Sequence, residues 1–399
     1  MYYVPADEKK QYDYITYPRQ FVTYRWYKPL ITTLLMMIFT LALLILIVVG
    51  GSMMGRIELG LSTEEFIKLA KGGYDSMDLS SITGILINLV AVSVMIPALM
   101  LARAIVRDRT WASYSSSRGG WDMGLYIKCQ LIAIIVISCP IVGRHIYMHD
   151  YSAPDMNFSR VALILILIFG PLQCIAEEYV FRGLFTQTLG SWFRIPIVAI
   201  ILAALPFVVL HPYNNLGKIS ILLSGIGFGL AAWIGRGIEA SSAMHIGNNL
   251  IIFLTEMLGM ISSSGEVEKQ DVIFSFIIEG IYILIIFILS KKTHWFDKVR
   301  KNDAEIFNSK INAKRSAKAQ KRARKGGRSY SGDVQSKAAD YSQTADSAET
   351  GAYGAESSSP SSSQTGTSGA SSSAGNPASS ASRRSGGRSG SYQGKHFKH

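Results

Sequence analysis

LLMMIFTLALLILIVV, residues 34–49, contains no charged side chain and one hydroxyl among sixteen positions. Within the longer apolar run 29–50 it can cross a hydrocarbon core of about 30 Å as a helix. Seven further apolar stretches follow, near 84–106, 125–143, 161–189, 195–211, 219–235, 240–260 and 272–290. Lipid offers the backbone no hydrogen-bonding partner, so such runs are read as helices. The pattern predicts an all-α polytopic membrane bundle of about eight transmembrane helices over 29–290. A segment of 28 polar and aromatic residues precedes it, too long for the start of a cleavable signal.

Charge is distributed unevenly along the 399 residues. Residues 1–290 hold 20 Lys and Arg against 20 Asp and Glu, and residues 291–399 hold 20 against 8, so the net charge of +12 belongs to the tail. The tail is basic over 291–328 and rich in Ser, Gly and Ala beyond. Such a composition cannot bury enough apolar area to offset its ordering entropy, and a disordered tail is expected. Its basic part suits anionic lipid headgroups next to the bilayer, and nucleic acid is not the expected partner. Lys9, Lys10, Arg19, Arg25, Arg107, Arg109, Arg118, Arg194, Arg236, Lys291 and Lys292 fall in the N-terminal segment, alternate loops and the end of the last run. The other loops carry Glu58, Glu64, Glu65, Asp75, Asp78, Glu266, Glu268 and Asp271. The positive-inside rule then places both termini in the cytoplasm, as an even number of crossings requires, with the plasma membrane as the expected location. Tyr24, Trp26, Tyr27, Trp111, Tyr114, Trp121, Trp192 and Trp295 stand where an interfacial belt is expected. Cys129, Cys139 and Cys174 lie in apolar runs without a CxxC pairing and read as small buried hydrophobes.

Ionisable groups inside a bilayer cost several kcal/mol and mark function by default. Three elements carry them. In AEEYVFRG, 176–183, Glu178 and Arg182 share a helix face and can pair. Glu177 is rotated by about 100° from that pair, and its neighbouring charge and burial suit a proton-transferring base. In FVVLHP, 207–212, Pro212 disfavours helix at the preceding residue, so the helix is expected to end near His211 beside unpaired carbonyls. In HIGNN, 245–249, His245 and Asn249 share one face; they could join helices or bind one substrate oxygen. A carboxylate, two imidazoles and a carboxamide suffice for amide hydrolysis through an activated water and an oxyanion site. Glu177, His211 and His245 are equally a donor set for catalytic zinc, and spacing does not choose between the two. SGIGFGLAAWIG, 224–235, reads as close helix packing.

EExxxR at 177–182 followed by Gly183, FxxxH at 207–211 and HxxxN at 245–249 with the Asn248–Asn249 pair resemble the CAAX-processing and bacteriocin-processing family of intramembrane endopeptidases. That family includes the prenyl-protein endopeptidases and the lysostaphin-resistance and abortive-infection-like proteins of bacteria. The resemblance covers about 160–260. It implies a peptide or protein substrate near the membrane, with Glu177 activating water beside His211, Glu178 paired to Arg182, and His245 with Asn249 as the oxyanion pair. Whether such proteins act with or without a metal is left open by the motifs. Two other readings stand beside this one: an ion- or proton-coupled transporter using the same groups, and a non-catalytic immunity or scaffold relative. Taken literally, the spans place Glu177 at mid-bilayer, His211 toward the outer end and His245 toward the inner end, so some distortion must bring them together.

Overall fold

The computed structural model describes residues 12–58, 85–148, 159–211, 213–260 and 267–325, with Ser62, Glu64, Ser152 and Ala153. The expected disorder of 329–399 lies outside the described residues. Each of the eight apolar stretches falls in helix: α1 (Lys28–Glu58), α2 (Asn88–Val106), α3 (Met123–Met148), α4 (Arg160–Phe193), α5 (Pro196–Val209), α6 (Asn215–Ile234), α7 (Glu239–Met257) and α8 (Lys269–Lys292). Six of them are long and apolar enough to cross a membrane; α5 has 14 residues, and α7 is not among the six. The reason for α7 is its sequence: Glu239, Ser241, Ser242, His245, Asn248 and Asn249 all lie on it, and it is buried from Glu239 to Gly247 by protein. The described residues include no strand.

The bundle is a membrane object by its surface as well as its composition. Leu34, Met37, Ile38, Leu41 and Ile45 of α1 are all more than half exposed. Lipid tails are the environment in which such a face is stable. Cys129 and Cys174 are buried as expected, but Cys139 is exposed on this outward surface, where lipid rather than protein surrounds a small apolar side chain. Inside, α7 packs on α3 and α4, and α6 packs on α5 and α8. Small residues set these distances: a Cβ at Gly229 would stand 2.6 Å from Ile200 Cγ2, and one at Gly247 2.9 Å from Ala133 Cβ. The glycine-rich stretch of α6 therefore does act as a close-packing surface.

One end of the bundle gathers the basic loops. Helices α2, α4 and α6 each stop there on an arginine in the left-handed region, Arg107, Arg194 and Arg236, with φ of 51°, 61° and 55°. A positive side chain complements the carbonyl end of a helix. The basic loop after α2 is a buried plug. Arg109 donates to the Gly183 carbonyl at 3.1 Å and to the Gln187 side chain, with its guanidinium 3.7 Å from the Tyr114 ring centroid. Arg118 pairs with Glu239 at 2.8 Å. Tyr114, expected at the interface, is fully buried here, whereas Trp26 and Tyr27 are exposed. Removing such charges from water is costly, and each guanidinium meets a partner on a neighbouring helix.

Both ends of the described chain seal the same cap. Tyr14 donates to the Tyr114 carbonyl at 2.6 Å, and Arg19 to that of Ser191 at 2.9 Å. The basic part of the tail folds as well: the stretch 294–308 returns to this end and starts α9 (Asp303–Lys325). There Asn308 accepts from the Val22 amide at 2.9 Å and donates to the Gln20 carbonyl at 2.7 Å. Phe307 meets Phe21 edge-on, with ring centroids 5.5 Å apart.

Asp303 accepts from Thr110 in this seam, and burial pushes its carboxyl above the usual range although the Thr110 hydroxyl opposes the shift. A carboxyl raised on folding stabilises below its unfolded value of about 3.9 and loses that contribution as pH rises through the folded value. Docking of α9 is therefore expected to be tightest in acid and to loosen as pH rises, with Asp303→Asn removing the dependence. Hydrogen exchange at the Val22 amide, corrected for its intrinsic rate, measures this; identical pH profiles in the two proteins would contradict it.

Candidate active site

Glu177 and Glu178 sit midway along α4, which runs without interruption for 34 residues. At 1.5 Å per residue that is about 51 Å, well beyond a core of about 30 Å. The surplus lies past the carboxylates. The stretch Tyr179–Thr186 winds in wider i→i+5 turns, and the plug packs along it: Tyr179 OH lies 2.8 Å from Ser115 Oγ, and Gln187 donates to the Ser113 carbonyl at 3.0 Å. Wide turns of this kind recur at functional sites. The carboxylates thus stand one helical segment above the cap rather than halfway between the ends of a simple span. This is how the depth mismatch expected from literal spans closes.

His245, seven residues into α7, meets both carboxylates. Its Nδ1 is 3.0 Å from Glu178 Oε1, and its Nε2 is 3.4 Å from Glu177 Oε2. Glu178 Oε1 also receives Arg182 Nη1 at 3.0 Å. The expected Glu178–Arg182 pair is present and buried, and Arg182 further donates to the Gly225 carbonyl at 3.0 Å. The imidazole of His245 stacks on Phe228, with centroids 4.5 Å apart and planes 17° apart, and the Arg182 guanidinium lies 4.9 Å and 5.0 Å from the Phe207 and Phe228 ring centroids. Phe228 was invisible as a site residue in the sequence, where only the surrounding glycines drew notice. Its role comes from a helix that can approach closely enough to lay a ring flat on the imidazole.

His211 lies beyond the end of α5, as Pro212 requires. Its Nδ1 is 2.7 Å from the Phe207 carbonyl, and its ring is stacked at 6.3 Å with Tyr213. A carbonyl only accepts, so Nδ1 carries the proton and Nε2 is left bare. His245 has a carboxylate oxygen at each ring nitrogen, Glu178 at Nδ1 and Glu177 at Nε2. Asn249, one turn along α7 from His245, accepts from Asn248 Nδ2 at 3.0 Å and neighbours Cys174, which lies one turn before Glu177 on α4.

The structure thus brings Glu177, Glu178, Arg182 and His245 into direct contact, sets Asn249 one turn away, and ties His211 in through Phe207. His245 faces the carboxylates rather than pointing jointly with Asn249 at open space. Two imidazoles each held through Nδ1 are zinc donors in kind. Yet among the described residues no three His, Cys, Asp or Glu side chains are grouped so as to hold a metal ion. Glu177, His211 and His245 do not fit zinc as arranged.

Arg182→Met would leave the Glu178 carboxylate buried beside His245 alone. Loss of one partner of a buried pair costs about 3–5 kcal/mol. The variant should unfold well below the unmodified protein in a detergent melt, and adding Glu178→Gln should recover part of the loss. A melting temperature unchanged by Arg182→Met would show that the pair does not hold these helices.

Residues 159–251 match the family described as Rce1-like, the type II CAAX prenyl endopeptidase Rce1-like. The match runs from the start of α4 into α7 and contains all three motifs. An uncharacterized protein of Bacillus subtilis (strain 168), YyaK, is 31% identical over 135 residues, which cover 31% of this chain and 45% of that protein. The chain therefore spans less than half the length of this relative. No solved structure matches.

Proposed function

We propose that this chain is an intramembrane endopeptidase that hydrolyses a peptide bond of a membrane-associated or precursor peptide. The observation that carries the reading is the contact of His245 Nε2 with Glu177 Oε2 at 3.4 Å, inside a match to an endopeptidase family. Glu178 and Arg182 fix the ring: Glu178 accepts the hydrogen bond from Nδ1, and Phe228 stacks on the imidazole. Glu177 and His245 Nε2 then share the site that receives the proton of the attacking water.

In the reaction a water held at Glu177 attacks the scissile carbonyl and gives its proton to the Glu177–His245 pair. The carbonyl oxygen becomes an oxyanion. Asn249, whose carbonyl oxygen is occupied by Asn248 and whose amide meets Cys174, would turn an N–H toward that oxyanion. When the tetrahedral intermediate collapses, the C–N bond breaks and the stored proton passes to the leaving amine. His211, with its Nε2 bare, serves as a further proton acceptor near Tyr213. Buried donors aimed at developing charge are worth far more than in water.

The environment of the chain follows the same reading. Clustering of basic loops and both described ends at one face supports cytoplasmic termini in the plasma membrane. The exposed Lys310, Lys314, Arg315, Lys318, Lys321 and Arg322 of α9 suit anionic headgroups at that face.

Glu177→Gln keeps the shape of the side chain and removes the base. It should lower peptide cleavage by at least about 100-fold, the usual contribution of a general base, with an unchanged detergent melt. Cleavage by purified Glu177→Gln protein at the unmodified rate would remove Glu177 from the chemistry.

A further inference from the structure

We infer that substrate reaches Glu177 from the end of the bundle opposite the cap where the described ends of the chain meet, so that the peptides processed are those whose scissile segment lies on that side of the bilayer. The inference rests on the endopeptidase reading of the same site and adds its direction of access.

The near end is closed by buried polar contacts. Tyr14 donates to the Tyr114 carbonyl, and Arg118 pairs with Glu239. The Ile238 amide donates to the Ser115 carbonyl at 2.8 Å, and the Ser115 hydroxyl pairs with that of Tyr179. The Glu178–Arg182 pair lies on the same helix as Tyr179. Tyr14, Tyr114, Arg118, Glu239 and Ile238 are no more than 1% exposed. A peptide entering here would have to dismantle buried ion pairs, each of which is costly to break.

The far end is built differently. Along α7 every residue from Glu239 to Gly247 is buried, whereas Asn248, Asn249, Leu250, Ile251 and Ile252 are half-buried. The boundary falls just past His245, on the side away from the termini. Helix α5 explains the gap. It starts at the near end, beside Trp192, and its 14 residues span about 21 Å, short of a core of about 30 Å. The chain then turns back at His211 and Tyr213, both half-buried, before Asn214 caps α6 by accepting from Gly217 at 2.8 Å. Irregular backbone at membrane depth is tolerated where it lines a wet cavity. His211, Tyr213, Asn248 and Asn249 are the polar groups such a notch would need, and Tyr213 lies within electrostatic reach of Glu177.

The test is thiol accessibility in sealed vesicles of one orientation. Cys139→Ser removes the exposed native thiol, and Tyr213→Cys or Asn248→Cys is added to it. Ser309→Cys, exposed at the start of α9, marks the face of the termini. A charged, membrane-impermeant maleimide should label Tyr213→Cys and Asn248→Cys from the face opposite to the one that labels Ser309→Cys. Labelling of both from the Ser309 face, or labelling only after the membrane is permeabilised, would overturn the inference. The readout needs no turnover, so it is separate from the Glu177→Gln cleavage assay: loss of the endopeptidase reading would leave the labelled face unchanged, and the reverse.

Discussion

A carboxylate buried to zero exposure, Glu178, has to be neutralised where it stands, and the rest of the site follows from how this is done. In a medium of low dielectric an unpaired charge of this kind would be expelled or protonated. Here one oxygen takes both the Arg182 guanidinium and the His245 imidazole at 3.0 Å. Arg182 lies one turn further along the same helix, while His245 comes from α7, so the charge joins two helices. Phe207 from α5 and Phe228 from α6 supply ring faces to the guanidinium, and Phe228 also to the imidazole. Four helices are thereby locked around one oxygen atom. Glu177, next in sequence and turned to another face, is the one left with its charge directed at an imidazole nitrogen.

That arrangement needs protection from water at one end, and the plug after α2 supplies it. Buried arginines are unusual in any protein and need partners for their charge. Arg109 and Arg118 find them in carbonyls, Gln187, Glu239 and an aromatic face. The wide turns of Tyr179–Thr186 let α4 pass beside the plug, with its backbone still bonded, while its glycine approaches closely: a Cβ on Gly183 would lie 2.9 Å from the Tyr114 carbonyl.

Much of this was legible from the chain alone, for physical reasons. Apolar runs such as 34–49 declare helices because lipid permits little else, and EExxxR encodes a pair because a helix returns to the same face after four residues. That α5 stops before His211 was legible because proline at 212 restricts its predecessor. What was not legible depended on length mismatch and on long-range packing. A 34-residue helix reads in sequence as one span with charges at its middle, whereas its last third belongs to the cap. Arg109, Arg118 and Tyr114 look like surface loop and interface residues because nothing nearby in sequence announces Gln187, Glu239 or Tyr14. The facing of His245 toward two carboxylates, rather than toward Asn249, likewise required the relative rotation of two helices 67 residues apart.

The cap is stitched from the two extremes of the described chain: the Ala304 amide donates to Tyr17 across 287 positions. A ribosome releases the first of these residues long before the second exists. Throughout insertion of the bundle the N-terminal aromatics must therefore wait without their partner, and the buried charges stand behind an unfinished wall. Contacts of such large sequence separation form late. A chain terminated before α9 would hold all three motifs and still lack the clasp between the segment around Tyr17 and that around Ala304.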